Sequence, residues 1–202
     1  MRSLGTILFG FLFLLLIAAG GYFFLGGTDQ WMIETELGTI VIEFYPREAP
    51  DHVKNFKKLV REDFFNGTTF HRIAEGYIIQ GGDPLSKDDD PWNDGLGGPE
   101  WTVRAEFNDV PHERGIVSAA REDRNVDSAG SQFFICLSKI PLLDRQYTVF
   151  GRVVEGIDIA DTIARQPKWD NENLEKPRTP VPIVRSSIRT LYHLPLIGEF
   201  SF

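Results

Sequence analysis

An arginine and a glutamine stand eight residues apart in a segment rich in large apolar side chains, Phe70–Asp83. On an uninterrupted strand, an even spacing would place Arg72 and Gln80 on the same face. A predicted turn at Gly76 interrupts that strand, so the shared face is a hypothesis from periodicity. A face of this kind would place hydrogen-bonding side chains beside large apolar groups.

Hydrolytic and metal-dependent chemistry find little support in the residue pattern. Neither a nucleophile elbow nor a Cys–His signature surrounds Ser131, Cys136 or His71. Cys136 is the only cysteine and lies in an apolar run, so we predict a buried small side chain rather than a reactive thiol. The acidic residues of 88–95 lack the terminal glutamate of an EF-hand, which predicts a solvated loop.

Two stretches, Phe70–Asp83 and Gly130–Cys136, resemble the cyclophilin family of peptidyl-prolyl isomerases nearly residue for residue. The resemblance covers roughly residues 31–191 and is also dense at Val149–Gly156. It implies an isomerase that rotates Xaa-Pro bonds in proline-containing polypeptides and so assists folding. It also implies a mechanism that needs no metal and no organic cofactor.

The resemblance assigns the catalytic roles to Arg72 and Gln80. Rotation about a peptide bond meets a barrier of about 18–20 kcal/mol, and a catalyst must favour the twisted amide. Arg72 would aim a donor at the prolyl amide, while Gln80 would orient Arg72 and bind the substrate backbone. A charged hydrogen bond contributes about 1.5–3 kcal/mol, so desolvation and positioning in a pocket must supply the remaining reduction of the rotation barrier.

The resemblance also implies a set of substrate-binding residues. These are Tyr77, Ile78, Ala120, Arg121, Phe134, Leu142, Leu143 and Tyr147. Phe134 and Leu143 would line the proline pocket with Tyr77 and Ile78, although the same residue types also build cores. Ala120 and Arg121 would supply backbone and wall contacts.

Four of these positions depart from the pattern of many cyclophilins. Tyr77 and Ile78 stand where typical members have phenylalanine and methionine. Tyr147 stands where many relatives have histidine, although a tyrosine there also resembles bacterial members. Leu142 replaces a tryptophan found in cyclosporin-sensitive relatives. Because the indole hydrogen-bond donor is lost with that replacement, we expect weak cyclosporin binding.

The apolar patterning predicts a mainly β fold with two α-helices. Strands are predicted at 31–36, 39–45, 68–73, 77–80, 101–107, 115–120, 132–137, 149–154 and 181–191, and helices at 49–62 and 157–165. Short strands with two helices favour a closed or nearly closed β-barrel capped by the helices. The resemblance implies eight antiparallel strands in that barrel.

The N-terminal segment predicts one transmembrane helix that precedes the barrel. No charged residue occurs from Leu4 to Leu25, about 22 residues, which as a helix would span roughly 33 Å. Arg2 precedes the segment and Asp29 follows it, so the N-terminus is expected to be cytoplasmic. A cleaved signal peptide with small residues at 18–20 is the alternative. The apolar run continues through Leu25, which favours an uncleaved signal anchor.

These predictions divide the chain into four parts. They are an anchor at 1–25, a linker at 26–30, an isomerase domain at 31–192 and a tail at 193–202. The isomerase domain is expected outside the cytoplasm, in a periplasm or on the outer face, and it would be secreted if the segment were cleaved. The net charge of −8 argues against a nucleic-acid partner, because phosphate binding needs a basic face.

Two alternatives to an isomerase stay open from the sequence. One is a non-catalytic proline-peptide-binding or scaffolding module at the membrane, against which the presence of both Arg72 and Gln80 argues. The other is a structural membrane protein whose barrel only packs against a partner, a reading that the apolar C-terminal tail slightly supports.

Overall fold

The computed structural model describes residues 27–169, 175–194 and 198–201. The predicted anchor at 1–25 lies outside the described residues. Among the helices that are described, none is long and apolar enough to cross a membrane. The described residues form two compact units, Gln30–Ile188 and a second with residues 27–29 and those after Ile188.

The chain contains eleven described strands, two described α-helices and two short 3₁₀ turns. The strands are β1 (Gly27–Thr35), β2 (Gly38–Phe44), β3 (Thr69–Phe70), β4 (Arg72–Ala74), β5 (Ile78–Gly81), β6 (Ile116–Ala119), β7 (Phe133–Cys136), β8 (Val149–Glu155), β9 (Val181–Pro182), β10 (Arg185–Leu194) and β11 (Gly198–Ser201). The helices are α1 (Pro50–Arg61) and α2 (Ile157–Ala164), and the 3₁₀ turns are Pro84–Lys87 and Pro141–Leu143.

Antiparallel ladders order the strands of the larger unit as β1-β2-β8-β6-β7-β5-β4. Strand β3 pairs separately with β9. A mainly β fold with two α-helices is therefore confirmed. The described ladders do not join β4 back to β1, so closure into an eight-stranded barrel stays a prediction.

One predicted strand was wrong. At 101–107 the structure has only an isolated bridge at Val103, because the amide of Ala105 bonds to Asp127 and that of Glu106 bonds to the Thr148 hydroxyl. In the second unit, the end of β10 pairs with β11. The segment predicted as a tail therefore contains strand structure.

Helix α1 packs an apolar face against the sheet, as its periodicity predicts. Pro50 occupies its first turn, where the missing N–H costs no hydrogen bond. Val53, Phe56, Leu59 and Val60 are buried along one side. The helix therefore lies on the core side of the sheet, and the opposite side of β4, β5 and β7 carries a separate, smaller apolar cluster.

An aromatic cluster forms the centre of the core. The Trp31 ring lies 4.7 Å from Phe133 and 4.8 Å from Phe65, and Phe56 stacks on Phe150 at 4.1 Å. All five side chains are fully buried. Such packing makes the sheet a rigid support for the side chains on its opposite face.

Candidate active site

Alternation along neighbouring strands places the candidate catalytic residues on the face opposite the core. The core face takes Ile73, Val117, Ile79, Phe133 and Ile135, all of them buried. On the other face, Arg72 lies directly opposite Gln80, and Gln80 directly opposite Phe134. The register thus places a cation, an amide and an aromatic ring in one row across three strands.

The tight turn between β4 and β5 creates this register. Gly76 has a φ of 70°, a conformation that other residues rarely adopt, and the amide of Tyr77 bonds back to the carbonyl of Ala74. The chain therefore reverses so that Arg72 meets Gln80. The shared face hypothesised from periodicity is confirmed, through cross-strand pairing rather than a continuous strand.

A chain of side-chain hydrogen bonds runs from the arginine to a loop. Arg72 Nη1 donates to Gln80 Oε1 at 3.3 Å, and Gln80 Nε2 donates to Gln132 Oε1 at 2.9 Å. Gln132 Nε2 in turn donates to the Gly97 carbonyl at 2.9 Å. Gln80 is therefore held from both sides, with its oxygen directed at the guanidinium.

The arginine has a second polar partner from a distant part of the chain. Arg72 Nε donates to Glu175 Oε2 at 2.6 Å, with the two side chains 43% and 37% exposed. This ion pair is charge-assisted and short. The guanidinium is thus fixed through Nε and Nη1.

A pocket of about 240 Å³ opens beside Arg72. Its lining comprises Arg72, Tyr77, Ile78, Gln80, Ala120, Arg121, Asp123, Phe134, Leu143 and Tyr147. All the predicted site residues except Leu142 are among them. Leu142 lies on the 3₁₀ turn Pro141–Leu143 with 86% of its side chain exposed, so its substrate-binding role stays a prediction.

Phe134 forms the apolar base of this pocket. It is 3% exposed and meets the Tyr147 ring edge-to-face at 5.3 Å. The His112 ring stacks against it at 6.1 Å. His112 lies 2.9 Å from the Ser118 hydroxyl and 3.0 Å from Asp144, so hydrogen bonds hold it on both sides.

The histidine under the pocket is held neutral by its surroundings. Burial lowers the pKa of His112, while the hydrogen bond and charge of Asp144 partly oppose that shift. A neutral imidazole packs against Phe134 without placing a charge beneath an apolar pocket. His112 thus supports the base of the pocket.

Arg121 forms one wall of the pocket. Its Nε donates to the Gln146 carbonyl at 3.1 Å and its Nη1 donates to the Glu122 carbonyl at 2.8 Å. The guanidinium lies 4.7 Å from the centre of the Tyr147 ring. These contacts hold Arg121 over the Tyr147 ring and shape the rim of the pocket.

A second cavity of about 270 Å³ adjoins the first. Both cavities include Gln80, Ala120 and Arg121 in their linings. The second is bounded by the glycine-rich residues 95–98 and by Gln132. An extended peptide could therefore contact both cavities across one shared edge.

The arrangement suits non-covalent catalysis. The guanidinium supplies N–H donors at the mouth of an apolar pocket. Cys136 is fully buried, and burial raises the pKa of its thiol to about 12, so it is not a thiolate at neutral pH. In the part of the chain that is described, no cluster of three or more His, Cys, Asp or Glu could hold a metal ion.

Sequence reasoning missed several residues that support the site. Gln132 lies two positions before Phe134, and strand alternation could have placed both on one face. His112 carried no comparable signal. Glu175 is 103 positions from Arg72 along the chain, and no local pattern connects them.

Comparisons with known proteins agree over most of the chain. The family described as "Cyclophilin type peptidyl-prolyl cis-trans isomerase/CLD" matches residues 31–188. A Helicobacter pylori protein named peptidyl-prolyl cis-trans isomerase is 39% identical over 143 residues, 69% of this chain and 83% of the relative. A Synechococcus elongatus protein of the same name is 43% identical over 123 residues, 61% of this chain and 79% of the relative.

Solved structures show the same relationship. A crystal structure of a Cryptosporidium parvum cyclophilin type peptidyl-prolyl cis-trans isomerase, in the presence of the dipeptide Ala-Pro, matches with a TM-score of 0.70. The two chains are 29% identical, and the match covers 79% of this chain and 98% of the other.

Proposed function

The chain belongs to the cyclophilin-type peptidyl-prolyl cis-trans isomerase family, and we propose that it rotates Xaa-Pro bonds in the pocket beside Arg72. It is a peptidyl-prolyl cis-trans isomerase. The main evidence for this site is the strand register, which places Arg72 opposite Gln80 and Gln80 opposite the apolar ring of Phe134. That row combines a charged donor with a binding surface for a proline ring.

The mechanism follows from how a prolyl amide loses conjugation. As the bond twists, the nitrogen becomes pyramidal and gains a lone pair that can accept a hydrogen bond. The guanidinium of Arg72 donates to this nitrogen, while Phe134 and Leu143 hold the ring. Gln80 keeps the guanidinium in place and hydrogen-bonds the substrate backbone.

The donor alone does not account for catalysis. A charged hydrogen bond contributes about 1.5–3 kcal/mol, which corresponds to about a tenfold to hundredfold gain in rate. The remaining rate acceleration comes from desolvation of the prolyl amide and from fixing the proline ring against the pocket base. The buried Phe134 and the supporting His112 are therefore as much part of the mechanism as Arg72.

The substrates are proline-containing polypeptides. The Cryptosporidium parvum cyclophilin was crystallised in the presence of the dipeptide Ala-Pro, which supports binding of such peptides. The second cavity is open enough to take a side chain on one flank of the proline. We also propose that cyclosporin binds weakly, since Leu142 offers no indole donor.

We further propose that residues 1–25 anchor the enzyme in a membrane, with the isomerase domain outside the cytoplasm. The uncharged apolar run and Arg2 before it support this topology. Tethering would raise the local concentration of enzyme near chains emerging at the membrane. Membrane fractionation with mass spectrometry of the mature N-terminus tests this, and a soluble protein that begins near Gly20 would refute it.

The test of function is a prolyl isomerisation assay on the full chain. Catalysis in proportion to enzyme concentration is expected with a peptide that contains one Xaa-Pro bond. A non-catalytic module would bind the same peptide without accelerating its isomerisation. Measurement of peptide binding on the same preparation separates these two outcomes.

A further inference from the structure

The carboxylate of Glu175 holds the arginine of the active site from outside the pocket. Glu175 Oε2 accepts from Arg72 Nε at 2.6 Å. Arg72 lines the pocket, whereas its described lining does not include Glu175. The carboxylate therefore holds Arg72 without itself lining the pocket.

This contact leaves the catalytic donors available. A guanidinium carries five N–H groups, one on Nε and two on each terminal nitrogen. Glu175 takes the Nε group and Gln80 takes one on Nη1. Within the described residues, the other groups of Arg72 bond to no partner, so they can face a substrate.

The backbone brings Glu175 to this position. The amide of Ile73, next to Arg72, donates to the Glu175 carbonyl at 2.6 Å. Nearby, the amide of Trp169 bonds to the Lys176 carbonyl and that of Arg178 to the Pro167 carbonyl. Glu175 is thus fixed beside strand β4 by main-chain bonds that do not depend on its side chain.

We propose that Glu175 is a positioning residue for the prolyl isomerase reaction. Its carboxylate and Gln80 Oε1 hold the guanidinium from two directions, so Nη2 and the free N–H of Nη1 are aimed into the pocket before substrate arrives. The proposal rests on the isomerase function and on Arg72 as its donor. It adds a residue from a distant segment to the site.

The expected effect is on turnover rather than on substrate binding. The proline ring is held by Phe134 and Leu143, which line the pocket, whereas its described lining does not include Glu175. Because the pair is about 40% exposed, its contribution is moderate, and Glu175→Ala is expected to lower kcat about threefold to tenfold with KM nearly unchanged. Glu175→Gln keeps an acceptor for Nε, so its activity is expected to lie between Glu175→Ala and wild type.

The experiment compares Glu175→Ala in the wild-type and Arg72→Ala backgrounds of the full chain. A positioning role predicts the kcat loss in the first background and no further loss in the second. The matched control is Glu113→Ala, because Glu113 also forms an exposed ion pair, with Lys139 at 3.3 Å, away from the pocket. This control is expected to leave kcat unchanged.

Three kinetic results would overturn the proposal. They are an unchanged kcat, an equal loss in both backgrounds, or a higher kcat, which would show that Glu175 competes with substrate for Arg72.

NMR of the Arg72 Nε–H group adds a readout independent of turnover. Its signal should shift and exchange faster in Glu175→Ala, and an unchanged signal would also refute positioning. An inactive wild type with this NMR change would instead refute the isomerase function.

Discussion

Arg72 and Gln80 face each other across strands β4 and β5, with Nη1 of the arginine 3.3 Å from Oε1 of the glutamine. The strand register fixes their backbones opposite each other, so only the side-chain torsions remain to be set. Gln132 sets those of Gln80, and Glu175 those of Arg72. Donor orientation in this enzyme therefore depends on residues from three separate regions of the chain.

Loss of the Gln132 side chain should weaken catalysis through Gln80. Gln132→Ala removes the acceptor for Gln80 Nε2, so Gln80 is free to rotate away from Arg72. We expect kcat/KM to fall about threefold to tenfold, the size of one lost orienting hydrogen bond. The measurement is steady-state prolyl isomerisation. Gln166→Ala, which removes a glutamine bonded to a carbonyl of α2, is the control and should retain full activity.

Shortening the pocket base should weaken substrate binding. Phe134→Leu keeps an apolar side chain but removes the ring that packs against Tyr147, so a proline would lose part of its contact surface. We expect KM to rise about fivefold, in line with one to two methylene equivalents of lost burial.

The control for the pocket base is Phe150→Leu. Phe150 is fully buried in the core, stacks on Phe56 at 4.1 Å and is not among the residues that line the pocket. Both variants should lower the thermal midpoint, but only Phe134→Leu should raise KM. A raised KM in both variants would mean that the effect comes from general loosening of the fold.

Acid should destabilise the fold through His71. Burial lowers the pKa of His71 to about 4, although the charge of Asp83 opposes this. The unfolded chain therefore binds a proton near pH 6.5 that the folded chain refuses until about pH 4. Stability is complete above pH 6.5 and falls by on the order of 3 kcal/mol as the pH drops to 4.

Urea unfolding measured from pH 7 to pH 4 checks this dependence. His71→Gln removes the titrating group, so the slope of unfolding free energy against pH should become shallower in that variant. An identical slope in wild type and variant would show that other groups cause the acid sensitivity.

Restoring an indole at position 142 should strengthen cyclosporin binding. Leu142 is 86% exposed, so Leu142→Trp costs little stability and adds an N–H donor beside the pocket. We expect about a tenfold lower inhibition constant, the value of one added hydrogen bond of about 1.4 kcal/mol. Leu85→Trp, at the same place in the other 3₁₀ turn, is the control. Tight inhibition of the wild type would contradict the expectation of weak binding.

The sequence predicted those parts of the fold that depend on local patterns. Helix α1 and the hairpin of β1 and β2 follow from apolar spacing and turn residues. The helix and β2 were placed within one residue at each end, whereas β1 begins at Gly27, four residues before its predicted start. The strand predicted at 101–107 failed because the amides of Ala105 and Glu106 bond to side chains of Asp127 and Thr148. Local periodicity cannot predict hydrogen-bond partners that lie more than twenty positions away along the chain.

The candidate site likewise combines residues that local motifs predict with residues that depend on distant contacts. Motif resemblance identified Arg72, Gln80 and Phe134, and strand register then brought them into one row. Glu175 could not be predicted, since its contact with Arg72 depends on how a distant connection runs beside β4. His112 likewise supports Phe134 from a loop whose sequence has no motif.

The central claim is that Arg72 is the donor that accelerates prolyl isomerisation, and one comparison tests it most directly. It measures kcat/KM of the full chain with Arg72→Ala against Arg152→Ala, in which a 55% exposed arginine paired with Glu43 is lost outside the pocket. The predicted result is a fall of about tenfold to a hundredfold for Arg72→Ala and none for Arg152→Ala. Equal kcat/KM for wild type and Arg72→Ala, with both proteins folded, would contradict it.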